Sequence, residues 1–249
     1  MQNRYTADVG DFGKYALLNA LTGTDLRLGV MWYLNTAEES NTDGGFTDYA
    51  ELKPCDQALY EKLVHILRNS TRSLSEVEAR EIFPSGALFY RAPLPFPRRP
   101  CFTATARTQQ EKLRQEWLSE GLEKLRTANL LFLDPDNGVA GRRVKKYSRK
   151  SVKYAFLDEI PCWLQRHQSV VVYQHQRRQP LEKQISGQLR EFGECGTSGW
   201  AISFHRRGVR IFFVLPVPEH REQLRKRTMA FAGSRWCKDG HFRLQLGTQ

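Results

Sequence analysis

Apolar residues recur along this chain in two rhythms, one helical and one continuous. Over residues 11–21, Phe12, Tyr15, Ala16, Leu18 and Leu21 fall on about one face, so the spacing predicts a helix. Residues 28–34 (Leu-Gly-Val-Met-Trp-Tyr-Leu) read as a buried strand, and the polar, glycine-containing stretch 38–45 as a loop. Residues 57–69 and 73–82 carry helical periodicity, the second with Ser73 placed to cap and Glu76 three positions on. Residues 87–91 predict a short strand. The four prolines of 92–100 require an extended connector.

The second half repeats the alternation. Residues 107–128 predict a long helix with Leu113, Trp117, Leu122 and Leu125 toward the core. A strand follows at 129–134, then helical structure over 148–166 with a break near Pro161. Residues 169–173 (Ser-Val-Val-Val-Tyr) form a β-branched buried strand, and 180–192 a helix with proline in its first turn. Strands at 200–204 and 209–214 flank His205-Arg206-Arg207-Gly208, the spacing of an antiparallel hairpin. A helix at 218–232 and a strand at 242–246 close the chain. The order predicts an α/β fold: a mostly parallel twisted sheet, helices on both faces, and a C-terminal antiparallel hairpin. Residues 1–249 read as one α/β domain, with 36–105 as a possible inserted helical lobe.

Composition supports a packed core, since 40% of the 249 residues are hydrophobic. Net charge is +11, a field that draws polyanions and points to nucleic acid, DNA favoured, as partner. Cys55, Cys101, Cys162, Cys195 and Cys237 lie far apart, without Cys-x-x-Cys or zinc-ligand spacing. Free thiols in a reducing cytoplasm and no metal site are expected. No apolar signal core opens the sequence, and no run is apolar enough to cross a bilayer. The oligomeric state is not readable.

The candidate chemistry sits where the run Leu130-Leu131-Phe132-Leu133 ends in Asp134-Pro135-Asp136-Asn137-Gly138. Carboxyl ends of strands are where open α/β sheets bind ligands. Asp134, Asp136 and Asn137 are the catalytic candidates, joined by His175 after the next strand. Asp8, Asp11, Lys14 and Tyr15 would approach from the first helix as substrate-binding residues. Arg142, Arg143, Lys145 and Lys146, with Arg177 and Arg178, would hold phosphates. Plainer roles stand beside these. Asp136-Asn137-Gly138 is good turn chemistry, Asp11 suits a helix cap, and Tyr15 suits the core. His175 suits a structural role, and Arg206-Arg207 either a solvated hairpin tip or a groove or phosphate probe.

The element order resembles the class I methyltransferase fold. A narrower resemblance is to the RlmJ-type rRNA adenine methyltransferases. Asp8-Val9-Gly10-Asp11-Phe12-Gly13-Lys14-Tyr15 is similar to their Asn-x-x-Asp-x-x-Lys-His start, and Asp134-Pro135-Asp136-Asn137 stands at their Asp-Pro-Pro-Tyr loop. The resemblance implies that fold, S-adenosylmethionine as cofactor and adenine as substrate. Two departures point elsewhere. The glycine-rich donor turn is replaced by Tyr33-Leu34-Asn35-Thr36-Ala37-Glu38-Glu39-Ser40, whose side chains block a close backbone approach. The ring that would stack on adenine is replaced by Asn137. What remains suits hydrolysis of an N-glycosidic bond in a flipped nucleotide without cofactor, leaving an abasic site. Uracil-DNA glycosylases are similar in combining an Asp-Pro loop with a later His, and antiviral glycosylases acting on glucosylated hydroxymethylcytosine in phage DNA are a further suspected resemblance. The alternatives are a methyltransferase, a metal-dependent nuclease using Asp8, Asp11, Asp134 and Asp136, and a non-catalytic binder.

Overall fold

The computed structural model describes residues 2–36, 44–69, 71–97 and 100–245. In chain order the first half forms α1 (Val9–Thr22), β1 (Leu28–Trp32), α2 (Gln57–Asn69), α3 (Leu74–Ala79), β2 (Leu88–Tyr90) and α4 (Ala104–Lys124). Then come β3 (Leu130–Asp134), β4 (Gly138–Val139), β5 (Tyr154–Ala155), α5 (Pro161–Leu164), β6 (Ser169–His175) and α6 (Leu181–Glu194). The chain continues through β7 (Trp200–His205), β8 (Val209–Leu215), α7 (Pro218–Ala232), α8 (Arg235–Lys238) and β9 (Phe242–Gln245).

Seven strands make one mixed sheet in the order β2-β1-β3-β6-β8-β7-β9. The pairs β2–β1, β1–β3 and β3–β6 are parallel, while β8 runs against β6 and β7, and β9 against β7. Alternation along β3 divides the core. Leu130 and Phe132 face one layer with α1 and α2, Leu131 and Leu133 the other with α4 and α6. The chain leaves β1 toward β2 on one side and reaches β3 on the other, so strand order reverses between β1 and β3. Ligand crevices lie beyond the carboxyl ends at such a point.

Several expectations change in detail. The segment 36–105 holds α2 and α3 but is not set apart as a lobe. It supplies edge strand β2, and Leu59, Leu63, Ile66, Leu74 and Val77 share the core of α1 and β1. Residues 37–43, including Glu38 and Glu39 of the expected loop, lie outside the described residues, as does residue 246 at the end of the last strand. The expected helix over 148–166 is instead divided into 3-10 turns at Arg149–Lys153 and Leu157–Glu159 and the short α5, with β5 between the two turns. Ser151 and Tyr154 give their carbonyls to Arg114 (3.2 and 2.8 Å), and β5 pairs with β4, so these groups cannot serve a helical ladder. Arg114 also explains α4. It is buried and paired with Glu159 (2.5 Å), which turns the helix so that Leu113 is 38% exposed rather than in the core. Pro180 is the N-cap of α6, not part of its first turn.

Candidate active site

A cavity of about 270 Å³ opens at the carboxyl ends of β3 and β6, against the amino end of α1. Its lining includes Asp8, Asp11, Lys14, Asp134, Asp136, Asn137 and His175, so three segments distant in sequence converge. Helix α1 brings the first group. Asp8, not Asp11, is its N-cap, in extended conformation and accepting the Asp11 N–H (2.9 Å). Asp11 reaches back to accept the Ala7 N–H (3.0 Å) and takes the Tyr15 hydroxyl (2.8 Å). Ala7 has φ +61, a left-handed conformation, and Tyr49 donates to its carbonyl (3.1 Å). Tyr15 is fully buried and packs edge-on to Phe83, behind the cavity wall.

Lys14 does not reach toward a phosphate. Its ammonium lies between Asp11 (2.8 Å) and Asp134 (2.9 Å), and all three side chains are buried. Burial opposes the ammonium, but the two carboxylates outweigh it and hold Lys14 above its ordinary pKa. Asp134 is only 3% exposed, and burial pushes its carboxyl up despite Lys14. Asp8 is pushed up to about 6, by burial and by the neighbouring Asp11 charge. Asp136 is half-buried and accepts from Gln2 Nε2 (3.3 Å) and Asn35 Nδ2 (3.4 Å). Burial pushes Asp136 up, yet nearby positive charge and these hydrogen bonds outweigh it and leave its carboxyl below its ordinary value.

The loop after β3 is fixed from β6. Gln174, wholly buried, accepts the Val139 N–H (2.9 Å) and donates to the carbonyls of Asn137 (2.8 Å) and His175 (2.9 Å). Gly138 has φ +101, and a Cβ there would meet the Gln174 side chain at 2.4 Å, so glycine is required. His175 is exposed at the end of β6 and shares a hydrogen bond between Nε2 and the Tyr173 hydroxyl (2.8 Å).

The hairpin side of the cavity holds Arg207, one of the pair read as a solvated tip or phosphate probe, with Arg210 and Phe46, which the sequence did not single out. Arg210, buried in β8, lies against Gly10, where a Cβ would come within 2.4 Å of its Nε. Its Nη1 donates to the Arg206 carbonyl (2.8 Å) and braces the hairpin turn. Arg207 lies 5.0 Å over the Phe46 ring, and both line the cavity with Lys153, Tyr5 and Tyr173. A lone arginine between apolar neighbours on β8 was the available signal for Arg210. Phe46 had none.

Arg142, Arg143, Lys145, Lys146, Arg177 and Arg178 are not among the lining residues. Lys146 pairs with Asp158 (2.6 Å), and Arg177 donates to the Val139 carbonyl (2.5 Å) behind the loop. All five cysteines are free thiols. Among the described residues, Cys55, Asp239 and His241 gather with metal-ligand atoms within 4.8 Å. Arg235 pairs with Asp239 (3.0 Å) and Arg206 donates to His241 Nδ1 (3.1 Å), so two of the three already serve arginines. No helix among the described residues is long and apolar enough to cross a membrane. The chain matches no protein-family model and no curated protein.

Proposed function

We propose that this protein is a nucleic-acid hydrolase, a DNA glycosylase that takes a flipped nucleotide into the cavity and cleaves its N-glycosidic bond. The observation that carries the reading is that Asp8, Asp136, Asn137 and His175, from three separate segments, line one cavity at the carboxyl ends of β3 and β6, with burial pushing Asp8 up to about 6 and Asp136 held below its ordinary value. Such a pair divides labour in sugar chemistry. Asp8 accepts a proton from water as the oxygen bonds to the anomeric carbon. Asp136 stays ionised and offsets the positive charge that develops on the sugar. The bond to the base breaks, and His175, held by Tyr173, protonates the departing base. Asn137 offers an amide to a base edge. Arg207, Arg210 and Lys153 supply cations for the flanking phosphates, and Phe46 a ring for the base.

The scaffold reading is part of this proposal. The order β2-β1-β3-β6-β8-β7, with β8 reversed, supports a methyltransferase-like fold. A methyl donor does not fit the described residues at the end of β1. The Leu94 N–H donates to the Leu34 carbonyl (3.0 Å), and Tyr33 is sealed against Trp117 with ring centroids 5.0 Å apart. The Lys14 ammonium takes the place between Asp11 and Asp134 that a cation would need, which favours hydrolysis without metal. Free thiols fit a cytoplasmic setting.

The test is incubation with normal and modified DNA, including glucosylated hydroxymethylcytosine, in chelator and without cofactor. Release of free base, with strand cleavage only after alkali, supports the proposal. Methyl transfer from S-adenosylmethionine, or magnesium-dependent cuts that need no alkali, rejects it.

A further inference from the structure

Phe102, just before the N-cap of α4, is 80% exposed, against 48% for Phe46 at the cavity. Its backbone is nonetheless held. Arg107 donates to the Cys101 carbonyl (3.1 Å) and the Phe102 carbonyl (3.2 Å), while its guanidinium lies 5.2 Å from the centre of the Tyr147 ring. Tyr147 belongs to the loop 140–153, which also carries exposed Arg142, Arg143, Lys145, Arg149 and Lys150. Both ends of this loop reach the cavity. It departs just after Asn137 and Gly138 and returns at Lys153, whose carbonyl accepts the Asn137 N–H (2.9 Å). Arg114 pins its returning limb from within through the carbonyls of Ser151 and Tyr154. Arg142, Arg143, Lys145, Arg149 and Lys150 therefore lie on a braced loop whose two ends reach the cavity and whose Tyr147 contacts the arginine that holds the Phe102 backbone.

We infer that Phe102, Tyr147 and the cations of loop 140–153 form a track for a single-stranded stretch of nucleic acid leading into the cavity. This rests on the proposal that the cavity takes a nucleotide. Phosphates along the track meet Arg142, Arg143, Lys145, Arg149 and Lys150. A base flanking the cavity nucleotide stacks on Phe102. An unpaired strand has free base faces, whereas a duplex hides them in its own stack. An exposed ring on a backbone held by Arg107 matches the first and wastes its apolar face on the second. The substrate class is accordingly an unpaired or locally opened strand.

The experiment is fluorescence anisotropy of the full chain with a labelled oligothymidylate and with a duplex of equal length, over a range of salt. The single strand binds more tightly than the duplex. Phe102→Ala weakens single-strand binding by about 5- to 150-fold, the range for one stacked base, without changing the slope of log affinity against log salt. Phe102→Trp restores it. Arg142→Ala combined with Arg143→Ala lowers that slope by about 0.7 for each phosphate that is no longer neutralised. Unchanged binding by Phe102→Ala, equal affinity for the duplex, or no binding of either probe overturns the track. Base release, assayed in parallel, separates the two ideas. Release that persists while Phe102→Ala binds normally removes only the track. A track signature without release removes only the hydrolysis.

Discussion

Two buried clusters of charge lie in the two layers flanking the sheet, and they are built differently. In the α4 layer, Arg114 meets one carboxylate, Glu159, and gives its other donors to the carbonyls of Ser151 and Tyr154. Charge and hydrogen bonds are matched there, and the result is a fixed loop. In the α1 layer, Lys14 meets two carboxylates, Asp11 and Asp134, beside the cavity that Asp8 and Asp136 also line. Three carboxylates there, Asp8, Asp11 and Asp134, face Lys14 and Arg210, and burial together with the Asp11 charge raises the Asp8 pKa against the pull of both cations. A matched pair holds structure. An unmatched cluster opening on a cavity holds a proton that can move.

That contrast can be broken from either side. The largest effect is expected on rate. Asp8→Asn keeps a good N-cap for α1 but cannot accept a proton, so base release should fall about 10²- to 10⁴-fold with the protein still folded by circular dichroism. The matched cluster should respond in stability instead. Arg114→Leu leaves Glu159 buried alone and should lose about 3–5 kcal/mol in urea unfolding. Adding Glu159→Leu should recover much of that loss, because no charge is then stranded.

The pH dependence follows from the raised Asp8 value. Folded Asp8 binds its proton more tightly than unfolded Asp8, so its stabilising contribution is complete below its ordinary value and lost as pH rises through about 6. Urea titrations of the wild type against Asp8→Asn should show the wild type losing on the order of 2–3 kcal/mol relative to the variant between about pH 4 and about pH 8. The smallest effect belongs to the exposed cation at the rim. Arg207→Ala should reduce the salt slope of DNA binding by about one and leave stability within about 0.5 kcal/mol.

The strands were legible because parallel-sheet strands buried on both faces are continuous apolar runs, as in Leu130-Leu131-Phe132-Leu133 and Val170-Val171-Val172. The Asp134 loop, Asp8 and His175 were legible as neighbours of one cavity because strand ends and helix starts have fixed positions in an α/β fold. Residues whose role depends on partners across the fold were not. Arg114 reads as a surface cation on a polar helix until Glu159, 45 positions away, is brought beneath it. Lys14 reads as a substrate-binding cation until Asp134, 120 positions away, claims its ammonium. The 148–166 segment has helical composition, but its carbonyls are spent on Arg114 and β4. Gln174 carries no local pattern that marks it as the brace, and the lone arginine between apolar neighbours that marks Arg210 does not say what it faces.

The most direct measurement is the pH–rate profile of free-base release from modified DNA, in chelator and without cofactor, for the wild type and Asp8→Asn side by side. The account predicts a wild-type rate with a rising limb below about pH 6 as Asp8 ionises, and a variant rate that is low and lacks that rising limb. Equal rates for the two proteins, or a wild type that releases no base at any pH, would contradict it.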